Sequence, residues 1–292
     1  MKPIVIAGNG PSLAQIDYSR LPKDFDVFRC NQFYFEDKYF LGKKIKGAFF
    51  NPSVLPEQIF TLHHLKERRE YEVEDVYCSR SDDSELVIEG NKVENIFPSV
   101  KSTYDFLKKL PLFNELDKFH RFFFHQWPTA GIVMLYTAIA QGYKEIYLTG
   151  IDFYGGGGID YAFKINPKSN IATRIPAFRD SAFQDKVHTQ NLDVAFIQLA
   201  LSLPDIKLHA ITPNSALSEI LPLAPIQNPE PFKVENKPQG YICDWIKPPL
   251  LSCSPFKQKL KDNGINGKNI YVKAVMDLIQ LCKAVVYILK NR

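Results

Sequence analysis

Two constellations carry residue types able to do chemistry. The first is Gly8-Asn9-Gly10, a glycine turn between the β-branched run 3–7 and Pro11-Ser12, where a helix can begin. Two glycines let backbone approach a ligand closely, and a helix N-terminus offers unpaired N–H groups to a phosphate. Asn31 and Gln32 follow a second short strand at 26–30, and Asn51 follows a third at 46–50. Amide side chains both donate and accept, which suits a nucleobase, a ribose or a polyhydroxylated sugar. The same asparagines could equally cap helices and close turns. The second constellation is Tyr154 and Tyr161, which flank four glycines at 155–158, with His188 where regular patterning resumes. A phenol can donate to a departing phosphate without carrying charge, and histidine is the natural base near neutral pH.

The elements around these residues alternate. Helical spacing is expected at 33–41, 57–71, 102–119 (interrupted by Pro111), 131–142 (capped by Gly142) and 191–202. Further strands are expected at 75–79, 144–148 and 207–211. Alternating helix and apolar strand implies an α/β fold: a Rossmann-like, mostly parallel sheet with helices on both faces, forming one nucleotide-binding domain. Strand carboxyl ends then share one edge, where open α/β folds bind ligands. That edge collects Asn9, Asn31, Gln32, Asn51 and the turn Thr149-Gly150-Ile151-Asp152. Residues 155–188 show no period, the mark of a lid or a disordered segment. The expected domains are a body of 1–154 and 189–267, a flexible lid of 155–188 and a basic C-terminal helix within 268–292.

Composition narrows the classes. The 292 residues carry a net charge of +4, unevenly placed. Residues 247–292 hold nine Lys/Arg and two Asp, leaving the rest slightly acidic. A body that binds duplex nucleic acid would be more basic than this. In 273–290 the polar residues Lys273, Asp277, Gln280, Lys283, Tyr287 and Lys290 recur at helical steps, on one stripe of an otherwise apolar helix. The stripe interrupts the apolar run before it reaches spanning length. The helix could lie on an anionic membrane or pack on the body or within an oligomer. Five cysteines without paired ligand spacing read as reduced cytosolic thiols, and no leader precedes the first strand. Asp24-Phe25-Asp26 precedes its strand, so this acidic pair belongs to the edge opposite the proposed site. No G-x-S-x-G occurs, and Leu13 and Asn31 both depart from a dinucleotide fingerprint.

Four stretches closely resemble the bacterial lipooligosaccharide sialyltransferases of glycosyltransferase family 42. They are Ile6-Ala7-Gly8-Asn9-Gly10-Pro11-Ser12-Leu13, Ile16-Asp17-Tyr18-Ser19-Arg20-Leu21-Pro22, the run 26–39 and Gly150-Ile151-Asp152-Phe153-Tyr154. The likeness is nearly ungapped to about residue 60, returns from about 129 to 163, loosens through 212 and is weak beyond.

This resemblance implies an inverting, metal-independent enzyme with a GT-A-like variant of the Rossmann body and a lid closing over CMP-sialic acid. It implies transfer to a terminal galactose of lipooligosaccharide, most simply through an α-2,3 linkage, with no cofactor. It further implies a homotetramer attached peripherally to the cytoplasmic face of the inner membrane through the C-terminus. The general base would match His188, and the phosphate-contacting tyrosines Tyr154 and Tyr161. Nucleotide and sugar contacts would match Asn9, Gly10, Asn31, Gln32, Asn51 and Gln58, with Gly150, Asp152 and Phe153 in the matching loop. Thr129, Ala130 and Gly131 would lie near the sialyl carboxylate. The family usually has Arg-Ile-Thr-Ser-Gly where this chain has Trp127-Pro128-Thr129-Ala130-Gly131, and a lid tyrosine is Asp185 here. Another CMP-linked ulosonic acid as donor, and a CMP-sugar-binding paralogue without transfer, are the accompanying alternatives. A nicotinamide oxidoreductase is the more distant one, opposed by Leu13 and Asn31.

Overall fold

The computed structural model describes residues 1–52, 55–79, 93–153, 161–163, 187–228, 232–238, 263 and 269–290. The chain divides into two compact units, 1–247 and 248–292. In the first, β1 (Ile4–Ala7), β2 (Asp26–Cys30), β4 (Lys44–Phe50), β5 (Glu72–Cys78), β6 (Val100–Ser102), β7 (Glu145–Thr149) and β8 (Lys207–Ala210) form one sheet. Their order is β6-β5-β4-β2-β1-β7-β8, and every pairing is parallel. Two buried clusters cover the two faces. That explains why the strands read as near-continuous apolar runs instead of alternating ones. From β1 the chain proceeds to β2 on one side, while β7 pairs on the other. The switch point is therefore at the carboxyl ends of β1 and β7, beside Gly8 and Gly150.

The helices of this unit are α1 (Leu55–Glu67), α2 (Val93–Ile96), α3 (Tyr104–Leu107), α4 (Pro111–Phe124), α5 (Ala130–Ala140) and α6 (Gln190–Leu201). α1 buries Leu55, Ile59, Leu62 and Leu65, the stripe its spacing foretells. α5 ends at the expected Gly142, whose φ of +92° is a left-handed cap conformation.

Three expectations are corrected. The helix expected over 33–41 is a single 3-10 turn, Phe33–Phe35, followed by β3 (Lys38–Tyr39). Phe33, Tyr34, Phe35 and Glu36 are all buried, which a one-sided surface helix cannot achieve. β3 pairs antiparallel with β9 (Glu235–Asn236), a small second sheet absent from the expectation. The span 102–119 splits into the end of β6, α3 and α4, because Pro111 starts a helix at its first turn instead of interrupting one. Pro11–Gln15 is a 3-10 segment of five residues, not an α-helix.

Asp26 begins β2 and Lys2 bridges it and Asp24, at 3.1 and 3.2 Å, so the acidic pair does lie at the amino-terminal edge. In the second unit, α7 (Ile270–Lys290) is one 21-residue helix preceded by Asn269, whose Oδ1 accepts from the Tyr271 N–H. Ile270, Tyr271, Val275, Leu278, Leu281, Val285 and Leu289 are exposed on it. No helix among the described residues is long and apolar enough to cross a membrane.

Candidate active site

The glycine turn is first of all a joint between β1 and β7. Gly8 N–H donates to Thr149 O at 3.0 Å and Gly10 N–H to Gly150 O at 2.9 Å. Ser12 N–H donates to Asp152 Oδ2 at 3.0 Å, and Ser12 Oγ accepts from Gly150 N–H at 3.1 Å. A Cβ on Gly8 would stand 2.1 Å from Gly150 O, and one on Gly10 would stand 2.1 Å from Asp152 Oδ2. Glycine is required here for the close approach of two loops of the protein. The N–H groups of Gly8, Gly10 and Ser12, which the sequence offered to a phosphate, are already used. Asp152 spends one carboxylate oxygen on this joint, and Phe153 is buried in the core.

Asn9 is the hub of the turn. Its Nδ2 donates to Cys30 O at 2.9 Å, at the end of β2, and its Oδ1 faces Arg29 Nη2 at 3.5 Å. Its backbone O accepts from Ala162 N–H at 2.9 Å, which fixes the segment carrying Tyr161 against the turn. The Tyr161 ring stacks on Phe163, 5.6 Å between centroids, and Phe163 joins the core. Thus 161–163, within the expected lid, is anchored to the body. Tyr154, Asp185 and most of 155–186 lie outside the described residues.

Asn31 has φ of +45°, a left-handed conformation that Asn tolerates better than most residues. Its N–H donates to Phe49 O and its Oδ1 accepts from Asn51 N–H at 3.0 Å, joining the β2 and β4 ends. The turn-closing role therefore holds for its oxygen, while Asn51 is exposed at the same edge. Gln32 is buried beside it. Gln58, in α1, is fully buried and accepts from Tyr34 OH at 2.7 Å.

His188 immediately precedes Thr189, the N-cap of α6. His188 Nδ1 lies 2.8 Å from Trp127 O. A carbonyl only accepts, so Nδ1 carries a proton, and the neutral form of the ring holds its lone pair on Nε2. Trp127 N–H returns a bond to Val187 O at 3.0 Å. Two residues on, Thr129 donates twice to Asp193: from its N–H to Oδ1 at 3.0 Å and from its Oγ1 to Oδ2 at 2.6 Å. Burial pushes the Asp193 carboxyl up to about 7, against the lowering effect of both Thr129 bonds. Ala130 and Gly131 then open α5, with their N–H groups at the positive end of an 11-residue helix.

Sequence reasoning missed Asp193 and the ion pair Arg29–Glu36. Asp193 has the appearance of an ordinary acid in a first helical turn. Arg29 and Glu36 are both fully buried, 2.9 Å apart, with Tyr71 OH donating to the second Glu36 oxygen at 2.8 Å. A charge inside the apolar run Val27-Phe28-Arg29-Cys30 was the available signal.

The family model described as alpha-2,3-sialyltransferase (CST-I) matches residues 2–292. The Campylobacter jejuni sialyltransferase CstII in complex with the substrate analogue CMP-3FNeuAc is 43% identical, with a TM-score of 0.77, covering 90% of this chain and 100% of its own. The monofunctional alpha-2,3-sialyltransferase Cst-I of the same organism is 39% identical, with a TM-score of 0.77 and coverage of 91% and 96%. CST-II in complex with a trisaccharide acceptor and CMP is 42% identical, with a TM-score of 0.72 and coverage of 89% and 99%. The chain belongs to the CST-I alpha-2,3-sialyltransferase family and is a sialyltransferase.

Proposed function

We propose that this sialyltransferase uses CMP-sialic acid as donor and a terminal galactose of lipooligosaccharide as acceptor, forming an α-2,3 linkage with inversion and without a metal. The observation that carries the mechanism is the His188 ring, whose Nδ1 is held by Trp127 O, leaving the basic lone pair on Nε2. Nε2 takes the proton from the acceptor hydroxyl as its oxygen attacks the anomeric carbon from the face opposite CMP. The bond from that carbon to the phosphate oxygen breaks, and CMP departs. Tyr161, anchored through Ala162 to Asn9, donates to the departing phosphate together with Tyr154, stabilising charge that develops only in the transition state. The α5 N-terminus at Ala130 and Gly131 holds the sialyl carboxylate by free N–H groups and the helix dipole. Asn9, Gly10, Asn31, Gln32, Asn51 and Gln58 line or brace the nucleotide and sugar. Lid closure over 155–188 excludes water, a competing nucleophile.

The test is transfer from CMP-sialic acid to a lactose acceptor, with products resolved by linkage. His188→Ala should remove nearly all turnover while leaving CMP binding intact, and chelation should leave the wild-type rate unchanged. A wild-type rate in His188→Ala would end the base assignment. Ala130 brings no hydroxyl to the carboxylate subsite, and this favours one second reading, a different CMP-linked ulosonic acid as donor. CMP-Kdo in the same assay separates the two.

Assembly and attachment are part of the proposal. Phe119, Phe122, Phe123 and Phe124 at the end of α4 are all exposed, a contiguous aromatic patch that supports self-association into a homotetramer. The exposed apolar face of α7, with its lysines on the polar stripe, supports peripheral attachment to the anionic cytoplasmic face of the inner membrane.

A further inference from the structure

Thr129 is the N-cap residue of α5, with the extended backbone (φ −68°, ψ 167°) from which a Thr hydroxyl ordinarily accepts an N–H of the helix's first turn. Here it makes no such bond. Its hydroxyl donates to Asp193 instead, and so does its N–H. Among the described residues, nothing fills the helix N–H groups of Gly131 and Ile132 that a capping oxygen would take. The cost of this arrangement falls on Asp193. It is 1% exposed, and among the described residues no cation pairs with it. An apolar residue on α6 would fill the same space without burying a charge.

Asp193 also lies in the first turn of the helix that His188 leads into. It lies five residues after His188, and Thr129 lies two after Trp127. The bonds Trp127 N–H to Val187 O, His188 Nδ1–H to Trp127 O and the two from Thr129 to Asp193 zip 127–129 onto 187–193. One short clamp thus sets the distance between the open helix terminus and the histidine.

We propose that Asp193 is a positioning residue for the sugar donor: by taking both donors of Thr129 it keeps the α5 terminus uncapped for the donor's carboxylate and fixes that terminus relative to His188. This rests on the reading of a CMP-linked acidic sugar as donor. When Asp193 is replaced, the Thr129 hydroxyl turns back to cap α5 and competes with the ligand.

The experiment is calorimetric titration of CMP and of the analogue CMP-3FNeuAc into wild-type protein, Asp193→Asn, Asp193→Ala and the double variant Asp193→Ala/Thr129→Ala, with KM and kcat for the natural donor alongside. Asp193→Asn and Asp193→Ala should each weaken the analogue about tenfold, the scale of one charge-assisted hydrogen bond, while CMP changes about twofold or less. KM for the donor should rise with the loss of analogue affinity. The double variant, with no hydroxyl left to cap the helix, should regain part of the preference for the analogue over CMP. Equal losses for CMP and the analogue, or no regain in the double variant, would overturn the positioning role. Wild-type protein that binds neither compound would instead overturn the donor reading on which it rests.

Discussion

Asp193→Asn should change the pH dependence of stability as well as donor binding. The Asp193 carboxyl titrates at about 7 in the folded protein, against 3.8 for an ordinary carboxyl, because burial disfavours its charged form. Below pH 3.8 the group is protonated in both states, and the folded state holds its full advantage. Between 3.8 and about 7 the unfolded chain releases the proton while the folded protein retains it, so stability falls as pH rises. Above 7 both states are ionised and the loss is complete. About three pH units at roughly 1.4 kcal/mol each amount to ~4 kcal/mol, an order-of-magnitude upper figure. Asparagine keeps the shape and an acceptor for Thr129 N–H but cannot ionise. Urea unfolding of both proteins at intervals from pH 4 to pH 8 isolates this group, since every other carboxylate is common to the pair. Asp193→Asn should gain on wild type by several kcal/mol from the acid to the alkaline end, with most of the change before pH 7. A difference that stays flat with pH would mean that Asp193 ionises at its ordinary value, and the argument from burial would fail.

Three other substitutions test the frame of the site. Gly8→Ala and Gly10→Ala should differ in severity, because the first meets a backbone carbonyl and the second the movable end of Asp152. Thermal melts should show Gly8→Ala losing ~2 kcal/mol or more and Gly10→Ala less, and the reverse order would refute the joint between β1 and β7. Glu36→Ala leaves Arg29 charged, fully buried and with Nε and Nη1 already unpartnered among the described residues, so denaturation should reveal a loss of ~3–5 kcal/mol. A loss under ~1 kcal/mol would show the pair to be dispensable. Deleting 270–292 should move the protein from the membrane pellet to the soluble fraction, and an unchanged distribution would return α7 to a packing role.

Much of the fold is legible in the residues, for a physical reason. A parallel sheet covered on both faces makes each strand a run of β-branched and aromatic residues, and 3–7, 26–30 and 144–148 all read so. Parallel strands put their carboxyl ends on one edge, so the sequence alone gathers Asn9, Asn31, Asn51 and Gly150 there. The run 33–41 misled because its aromatics are buried consecutively, Phe33 against Tyr71 and Phe35 against Phe163, and because Lys38–Tyr39 pairs with 235–236. That partner comes from about 200 residues away, and local periodicity contains no trace of it.

What local pattern does not record is which polar atoms are already satisfied. Gly8-Asn9-Gly10 has the composition of a phosphate cradle, yet the N–H groups of Gly8 and Gly10 are taken by Thr149 and Gly150. The turn shapes the site by joining β1 to β7 and by holding Tyr161 through the Asn9 carbonyl. Thr129 presents the converse case. It has the composition of an N-cap, yet its hydroxyl is drawn away, and among the described residues no side chain caps the helix behind it. Both assignments turn on partners far along the chain, Thr149 and Gly150 in one case and Asp193 in the other. A buried carboxylate that costs stability at neutral pH persists most simply where a ligand needs the groups it keeps open. On the proposed reading of the donor, the residue least like an active-site residue in the sequence, an acid in the first turn of α6, bears directly on which anion the site accepts.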